Sequence, residues 1–332
     1  MDELASVIVI NWNGRRYLED CLTALRAQTY PKREVILVDN GSTDGSIEYV
    51  TAAFPETRIV RCEQNIGFAA ANNLGFAAAR GAYIATLNND TRADPTWLAD
   101  LVQAMQTKAD IGMCASKMVL WSDPTIIDSA GIAFSWSGVA WDRYGGMPDE
   151  ASESTPVDIF GPCAGAALYK RELIERLGGY EGRFFIYLED VDLAWRAQVA
   201  GWRCLYVPTA RVIHVHSGTT VEGSSSKNFN LGRNKVWLLY RNLPRKPGWL
   251  ALVALYDLMA IAFSIYRYRN LQAIRGRLAG LRGIDQAMRA ARQQIQAGAL
   301  PQNRDWQKRL SPLEAPWQVA RRFDYLKPIQ PV

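Results

Sequence analysis

Tyr83-Ile84-Ala85-Thr86-Leu87-Asn88-Asn89-Asp90 decides how this chain is read. A short β-prone apolar run empties into three polar residues, followed by turn chemistry and a helix start at Asp94-Pro95. In open α/β sheets ligands collect beyond the carboxyl ends of the strands, so polar residues delivered there by a buried strand are candidates for a site. Asn and Asp also make ordinary turns through local backbone hydrogen bonds. The flanking sequence has to choose.

Upstream the same grammar recurs. Ser6 to Ile10 is a β-branched run without alternation, as expected for a strand buried on both faces of a parallel sheet. It runs into Asn11-Trp12-Asn13-Gly14, and apolar residues at Leu18, Cys21, Leu22 and Leu25 then predict a helix over 17–28. Glu34 to Val38 is a second strand, feeding Asp39-Asn40-Gly41-Ser42-Thr43-Asp44-Gly45 and a helix over 46–54. Arg58 to Cys62 is a third, and Asn65-Ile66-Gly67 leads into an Ala-rich helix ending near Arg80. Strand, polar loop, helix, repeated, predicts an α/β fold with a mostly parallel sheet flanked by helices. All the polar loops then reach one edge, a crevice the size of a nucleotide.

Downstream, a helix over 97–105 and a strand near 111–115 are followed by a Trp-, Gly- and Ser-rich stretch to Asp149, read as short strands and loops. Phe160 to Ala166 is small enough for close approach of backbone to ligand. After a helix over 171–177, Phe184 to Leu188 runs into Glu189-Asp190-Val191-Asp192, the first turn of another helix. Acids suit a helix N-terminus, and Asp192 fits that role. Glu189 and Asp190, adjacent behind apolar residues, would repel in a low-dielectric pocket and raise a pKa, which suits general-base work. Two strands are predicted over 202–207 and 210–215, the second carrying His214 and, two residues on, His216, the chain's only histidines. A histidine there could serve as a further ligand for a divalent ion held by Asp90.

Composition narrows the class. With 332 residues, 48% apolar and 21% charged, the chain can build a substantial core. Five scattered cysteines without a C-x-x-C pair argue against a disulfide framework or zinc site, and no basic n-region opens the sequence, so a cytoplasmic location is expected. No G-x-G-x-x-G follows the first strand and no P-loop is present, so a bound diphosphate would need another partner, a divalent metal on a carboxylate.

Taken together, these motifs resemble the family 2 glycosyltransferases of GT-A fold, in the bacterial branch that transfers rhamnose and related sugars in cell-surface polysaccharide assembly. The likeness rests on the segments around Asn11 to Asn13, Val38 to Asp44, Asn65 to Ala69, Leu87 to Thr91, Tyr187 to Leu193, the His214 strand and Arg233-Asn234, in that order. It implies an inverting, metal-dependent transfer from a nucleotide-diphospho-sugar, with dTDP-rhamnose as donor and a saccharide or polyprenyl-diphosphate-linked acceptor. Asp39 and Ser42 would hold the base and ribose, and Asn11, Asn13, Asn65, Gly67, Asn73, Asn88 and Asn89 would line the donor site. Asp90 would be the metal-binding acid of the D-x-D motif for Mg²⁺ or Mn²⁺, His214 an auxiliary metal or diphosphate contact, and Asp190 the general base beside Glu189. Asn88 stands where the pattern has its first acid: its carbonyl can accept, but it carries no charge.

The resemblance divides the chain into a catalytic domain over 1–240, with a nucleotide-sugar half over 1–118 and an acceptor half over 119–240, and a basic helical region over 241–332. From Arg241 to Val332 there are 16 Lys and Arg against 5 Asp and Glu, a net of +11, leaving −6 for residues 1 to 240. Trp249 to Tyr266 is apolar apart from Asp257, at the lower limit for spanning a bilayer, and reads as an interfacial or core-packed helix. A basic helix over 275–292 follows. Such helices either dock on the inner face of the cytoplasmic membrane or brace the catalytic domain. Nucleic acid is not an expected partner, since no recognisable module accompanies the charge. Two other functions fit parts of the sequence: a nucleotidyltransferase, with Gly14-Arg15-Arg16 as its only basic loop, and a non-catalytic membrane-docked scaffold with a degenerate site.

Overall fold

The computed structural model describes residues 3–215, 224–244, 246–268, 271–296 and 305–313. His216 and the Ser217 to Thr220 stretch after it lie outside them. The first half runs β1 (Ala5–Asn11), α1 (Arg15–Arg26), β2 (Arg33–Asp39), α2 (Ser46–Ala53), β3 (Arg58–Arg61), α3 (Phe68–Ala78) and β4 (Tyr83–Asn88). Every residue of β1 is buried, because the strand lies between two apolar layers. Ile8 and Ile10 pack into one core and Val7 and Val9 into the other, the period-2 consequence of covering both faces of a sheet. β4, β1, β2 and β3 pair in parallel, with Ile10 opposite Asn88 and Asn11 opposite Asp39. That register brings three polar strand ends to the same edge.

The second half adds β5 (Thr91–Ala93), α4 (Trp97–Gln106), β6 (Ile111–Leu120), β7 (Ile127–Ser129), β8 (Ile132–Phe134), β9 (Ala140–Asp142), β10 (Val157–Ile159), β11 (Ala166–Lys170), α5 (Arg171–Leu177), α6 (Glu189–Val199) and β12 (Arg203–His214). The main path of the sheet is β10-β12-β6-β11-β4-β1-β2-β3, with β11 antiparallel to both β4 and β6. Two expectations are corrected. The two strands expected over 202–215 are one, β12, broken in register between Val207 and Arg211 where it pairs with β6. The turn expected after Asp90 is instead β5, which pairs antiparallel with β12 and sets Thr91 opposite His214.

Four helices complete the described chain: α7 (Ser225–Asn242), α8 (Pro247–Tyr268), α9 (Gln272–Arg282) and α10 (Gln286–Gln296). The basic helix expected over 275–292 is divided between α9 and α10. No helix among the described residues is long and apolar enough to cross a membrane. The rings of Trp195, Trp249 and Trp306 stack on one another, and the Trp249 indole N–H donates to the Trp136 carbonyl at 2.6 Å, pinning the start of α8 to the catalytic core.

Asp192 is fully buried rather than a simple helix-end charge. Its carboxylate accepts from Arg196 at 2.8 Å, Arg241 at 3.1 Å and Asn242 at 2.8 Å, joining α6 to the end of α7. Burial alone would raise its pKa, but the two guanidinium groups and the Asn242 amide hold it below the usual carboxylate range. Asp192→Ala leaves buried arginine charge uncompensated and should lower the unfolding free energy by about 3–5 kcal/mol. Urea denaturation followed by tryptophan fluorescence measures this; a loss under about 1 kcal/mol would contradict a buried ion cluster.

Candidate functional site

The strand ends of β1, β2 and β4 form one hydrogen-bonded floor. The Asn11 amide donates to Asp39 at 3.2 Å and Ser42 at 3.1 Å, and its carbonyl accepts from Asn89 at 2.7 Å. The Ser42 hydroxyl also accepts from the Asn13 backbone N–H, and the Asn13 side chain accepts from Thr43 N–H at 2.8 Å. Asn13 sits at φ 50°, a left-handed conformation that asparagine tolerates and that these contacts hold. Asn65 accepts from Asn40 and from Gly67 N–H, closing the floor on the β3 side.

Asn73 does not join this floor. Its amide is used at both ends by the backbone of Tyr180, donating to the carbonyl at 2.8 Å and accepting from the N–H at 2.9 Å. These two bonds clamp α3 to the segment after α5.

At the β4 end, Asp90 and His214 meet because β5 pairs with β12. Asp90 Oδ1 lies 3.2 Å from His214 Nε2, and Asp128 Oδ2 lies 2.6 Å from His214 Nδ1. All three side chains are buried. Asn88 Nδ2 is 3.4 Å from the same Nε2. Burial opposes a charged imidazole, but Asp90 and Asp128 outweigh it and hold the His214 pKa well above its ordinary value.

Asp90 and His214 offer two adjacent donor atoms to a divalent cation, although no group of three or more His, Cys, Asp or Glu side chains placed to hold a metal is found among the described residues. Adjacent ligand atoms on an octahedral ion with bonds of roughly 2.1 Å lie about 3 Å apart, close to the Asp90–His214 separation. A carboxylate on the far imidazole nitrogen is the usual means of orienting a ligating histidine, and Asp128 occupies that position. Asp128 is absent from the sequence-based candidates. It sits in the short strand Ile127–Ser129, with no motif to mark it, and only the fold brings it to His214.

Glu189 and Asp190 open α6 with very different surroundings. Asp190 Oδ2 accepts from Ala164 N–H at 3.1 Å and Oδ1 from Val191 N–H at 2.8 Å. Glu189 is buried, and its Oε2 has no hydrogen-bond partner. Burial raises both pKa values; Asp190 is partly relieved by its two backbone donors, whereas Glu189 is raised further by the neighbouring Asp190. The two pKa values are pushed up to different extents, Glu189's the further, and Asp190 is the more exposed of the two.

The approach to Asp190 is strained and braced. Phe185, Tyr187 and Leu188 have φ of 64°, 73° and 69°, at a cost of order 1–3 kcal/mol each. Asn234 Nδ2 lies 2.9, 2.8 and 2.8 Å from the carbonyl oxygens of Phe184, Ile186 and Tyr187, and Arg233 donates to Phe184 O at 2.9 Å. Arg233-Asn234 is a recognisable motif in the sequence without a role; the structure supplies one. Gly67, at φ 91°, is required here as well, since a Cβ would lie 2.5 Å from the Phe185 ring.

The segment over 160–166 joins the two halves of the site. Ala164 N–H holds Asp190, and the next residue's carbonyl, Gly165 O, accepts from Asn88 N–H at 2.9 Å. Its small residues admit the protein's own elements: a Cβ on Gly161 would meet Ala194 Cβ at 2.4 Å. Consecutive residues thus bond Asp190 and the backbone of Asn88, at the end of the strand that leads to Asp90.

Comparison with known proteins agrees with this architecture. A model of the family described as Glycosyl transferase family 2 matches residues 6–178. An N-acetylglucosaminyl-diphospho-decaprenol L-rhamnosyltransferase of Mycobacterium tuberculosis is 27% identical over 245 residues, which cover 66% of this chain and 78% of that protein. The O-antigen biosynthesis protein RfbC of Myxococcus xanthus is 30% identical over 225 residues, 64% of this chain but 17% of that protein. Among solved structures, GalNAc-T7 with UDP, GalNAc and Mn²⁺ aligns with a TM-score of 0.61 at 18% identity, over 84% of this chain and 54% of that one. The mannosyltransferase PcManGT from Pyrobaculum calidifontis, in complex with GDP-Man and Mn²⁺, aligns with a TM-score of 0.55 at 18% identity, over 98% and 88%. The fold is the GT-A fold.

The protonation of Glu189 gives a pH test. Its folded pKa is raised above the unfolded value of about 4.3, so its contribution to stability is present in full below that value and is lost as pH rises through the folded pKa. Glu189→Gln, neutral throughout, should melt near the wild type at about pH 5 and increasingly above it toward about pH 8. A melting difference independent of pH would show that Glu189 is ionised in the fold.

Proposed function

The chain belongs to glycosyl transferase family 2 and is a glycosyltransferase, and from that premise we propose that it inverts the anomeric configuration of a sugar moved from a nucleoside diphosphate to a saccharide or polyprenyl-diphosphate-linked acceptor in cell-surface polysaccharide synthesis. The observations that carry this reading are Asp190 held by the Ala164 N–H, the next residue, Gly165, bonded to the Asn88 backbone at the end of β4, and the Asp90–His214 pair two residues beyond Asn88. One group can take a proton from an attacking hydroxyl. The other would favour a cation, whose charge neutralises a departing diphosphate.

In this reading Asp39 and Ser42, tied together by Asn11, present the base and ribose site, with Asn13, Asn65 and Gly67 shaping its walls. Asp90 and His214 would hold Mg²⁺ or Mn²⁺, with Asn88 and Asn89 beside them; when bound, such an ion supplies charge neutralisation of the diphosphate leaving group. Asp128 orients the imidazole. Asp190 accepts the acceptor hydroxyl proton as that oxygen forms its bond to the anomeric carbon, while the bond to the diphosphate oxygen breaks on the opposite face. A single displacement inverts the configuration and requires no covalent intermediate. Glu189 lies buried beside Asp190 at the start of α6, and Ala164 N–H and Val191 N–H position the Asp190 carboxylate. Residues 1–118 serve the donor and 119–240 the acceptor.

We assign dTDP-rhamnose as donor. Support comes from the motif order and from a relative named as an L-rhamnosyltransferase that acts on a decaprenol-diphosphate-linked sugar; the Mn²⁺ in both aligned transferases supports the metal.

Asp190→Asn should bind the donor as the wild type does by titration calorimetry while transfer falls by about 10²–10⁴-fold. Transfer at the wild-type rate would remove Asp190 from its role, and a wild-type protein that neither binds nor hydrolyses any nucleotide sugar would overturn the proposal itself.

A further inference from the structure

The helix α8 has its polarity reversed. Its one acidic residue, Asp257, points into the protein, where Arg277 reaches it at 2.6 Å and Lys235 at 2.8 Å. Its outward stripe is Ala251, Leu255, Leu258, Ala262 and Tyr266, at steps of three and four residues, and all five are exposed. Leu258 is 66% exposed and Tyr266 78%. A helix resting only on a protein core should show water the opposite pattern.

The feature extends beyond one helix. Of the large apolar side chains exposed among the described residues, more lie between Leu250 and Leu281 than in all the rest of the chain. At the N-cap and along α9 the exposed positions are Leu271, Arg275, Leu278, Leu281 and Arg282. Leucines set among arginines, in a region of net charge +11, form a surface that is apolar and cationic together.

Three occupants can be compared. The Trp249 anchor and the Asp257 ion pairs already fix the inward side of α8, so the exposed stripe is not needed for bracing. A second copy of the chain would bring its own basic region against this one in a self-complementary contact, and like charge opposes that. An anionic bilayer satisfies both features: leucine and tyrosine enter the acyl boundary while arginine meets headgroup phosphate.

We infer that the outward face of α8 and α9 docks flat on an anionic phospholipid bilayer, holding the catalytic domain at the membrane without crossing it. This goes beyond the proposed transfer reaction and does not depend on which sugar is moved. Leu255 and Leu258 lie outside the donor and metal sites, so the surface can be changed without touching the chemistry.

The test is flotation of the full chain with phosphatidylcholine vesicles containing or lacking phosphatidylglycerol. The wild type should float with the anionic vesicles, less so as salt is raised, and bind neutral ones weakly. Leu255→Glu/Leu258→Glu should reduce anionic partitioning by about tenfold or more, and the milder Leu255→Ser/Leu258→Ser should also reduce it, with melting temperature and donor binding unchanged. Failure of the wild type to float with anionic vesicles, equal flotation of both variants, or a solution dimer that the glutamate variant splits would overturn the inference.

Discussion

Two buried carboxylates, Asp90 and Asp128, face one imidazole from opposite sides, and the site is organised around these two contacts. In a low-dielectric setting two acids cannot both ionise cheaply unless a cation lies between or beside them. The arrangement depends on a pairing of only three residues, β5 against β12, which sets Thr91 opposite His214. Without it Asp90 would be the last residue of a turn, and the His214 strand would end elsewhere. A backbone register thus determines the electrostatics at the carboxyl edge of the sheet.

The acid pair depends on a different constraint, tension held in the backbone. The left-handed residues over 185–188 persist because the Asn234 amide gathers three carbonyls and Gly67 leaves room for the Phe185 ring. The helix that carries Asn234 also carries Arg241 and Asn242, which hold Asp192 in the same first turn of α6 as Asp190. α7 therefore grips both the loop that leads to Asp190 and the helix that bears it. Because α7 packs on α9, the basic C-terminal helices are mechanically continuous with the catalytic edge. A surface that rests on a membrane would hold that edge at a fixed height above it.

Much of this could be read in the residues. The non-alternating runs at Ser6, Glu34 and Tyr83 announced a two-sided parallel sheet, and the polar residues ending each run announced the crevice. What stayed hidden depended on long-range pairing. Asp128 carries no local signal, because its importance comes entirely from His214, 86 positions away. Asn73 looks like any crevice amide until the Tyr180 backbone is seen to use both its ends. Glu189 and Asp190 are neighbours in an acidic run, and only the fold distinguishes them, by the burial of one and the backbone donors on the other. The outward leucines of α8 were visible as hydrophobicity, but their direction was not.

The central claim is that Asp90 and His214, backed by Asp128, form a cation site that serves a nucleoside diphosphate. Titration of dTDP with and without Mn²⁺ into the wild type and into Asp90→Asn tests it most directly. Mn²⁺ should tighten dTDP binding by about tenfold or more in the wild type and have little effect in the variant, whose metal-free affinity should stay near that of the wild type. Equal dTDP affinity with and without the ion in the wild type, or an undiminished Mn²⁺ effect in Asp90→Asn, would contradict it.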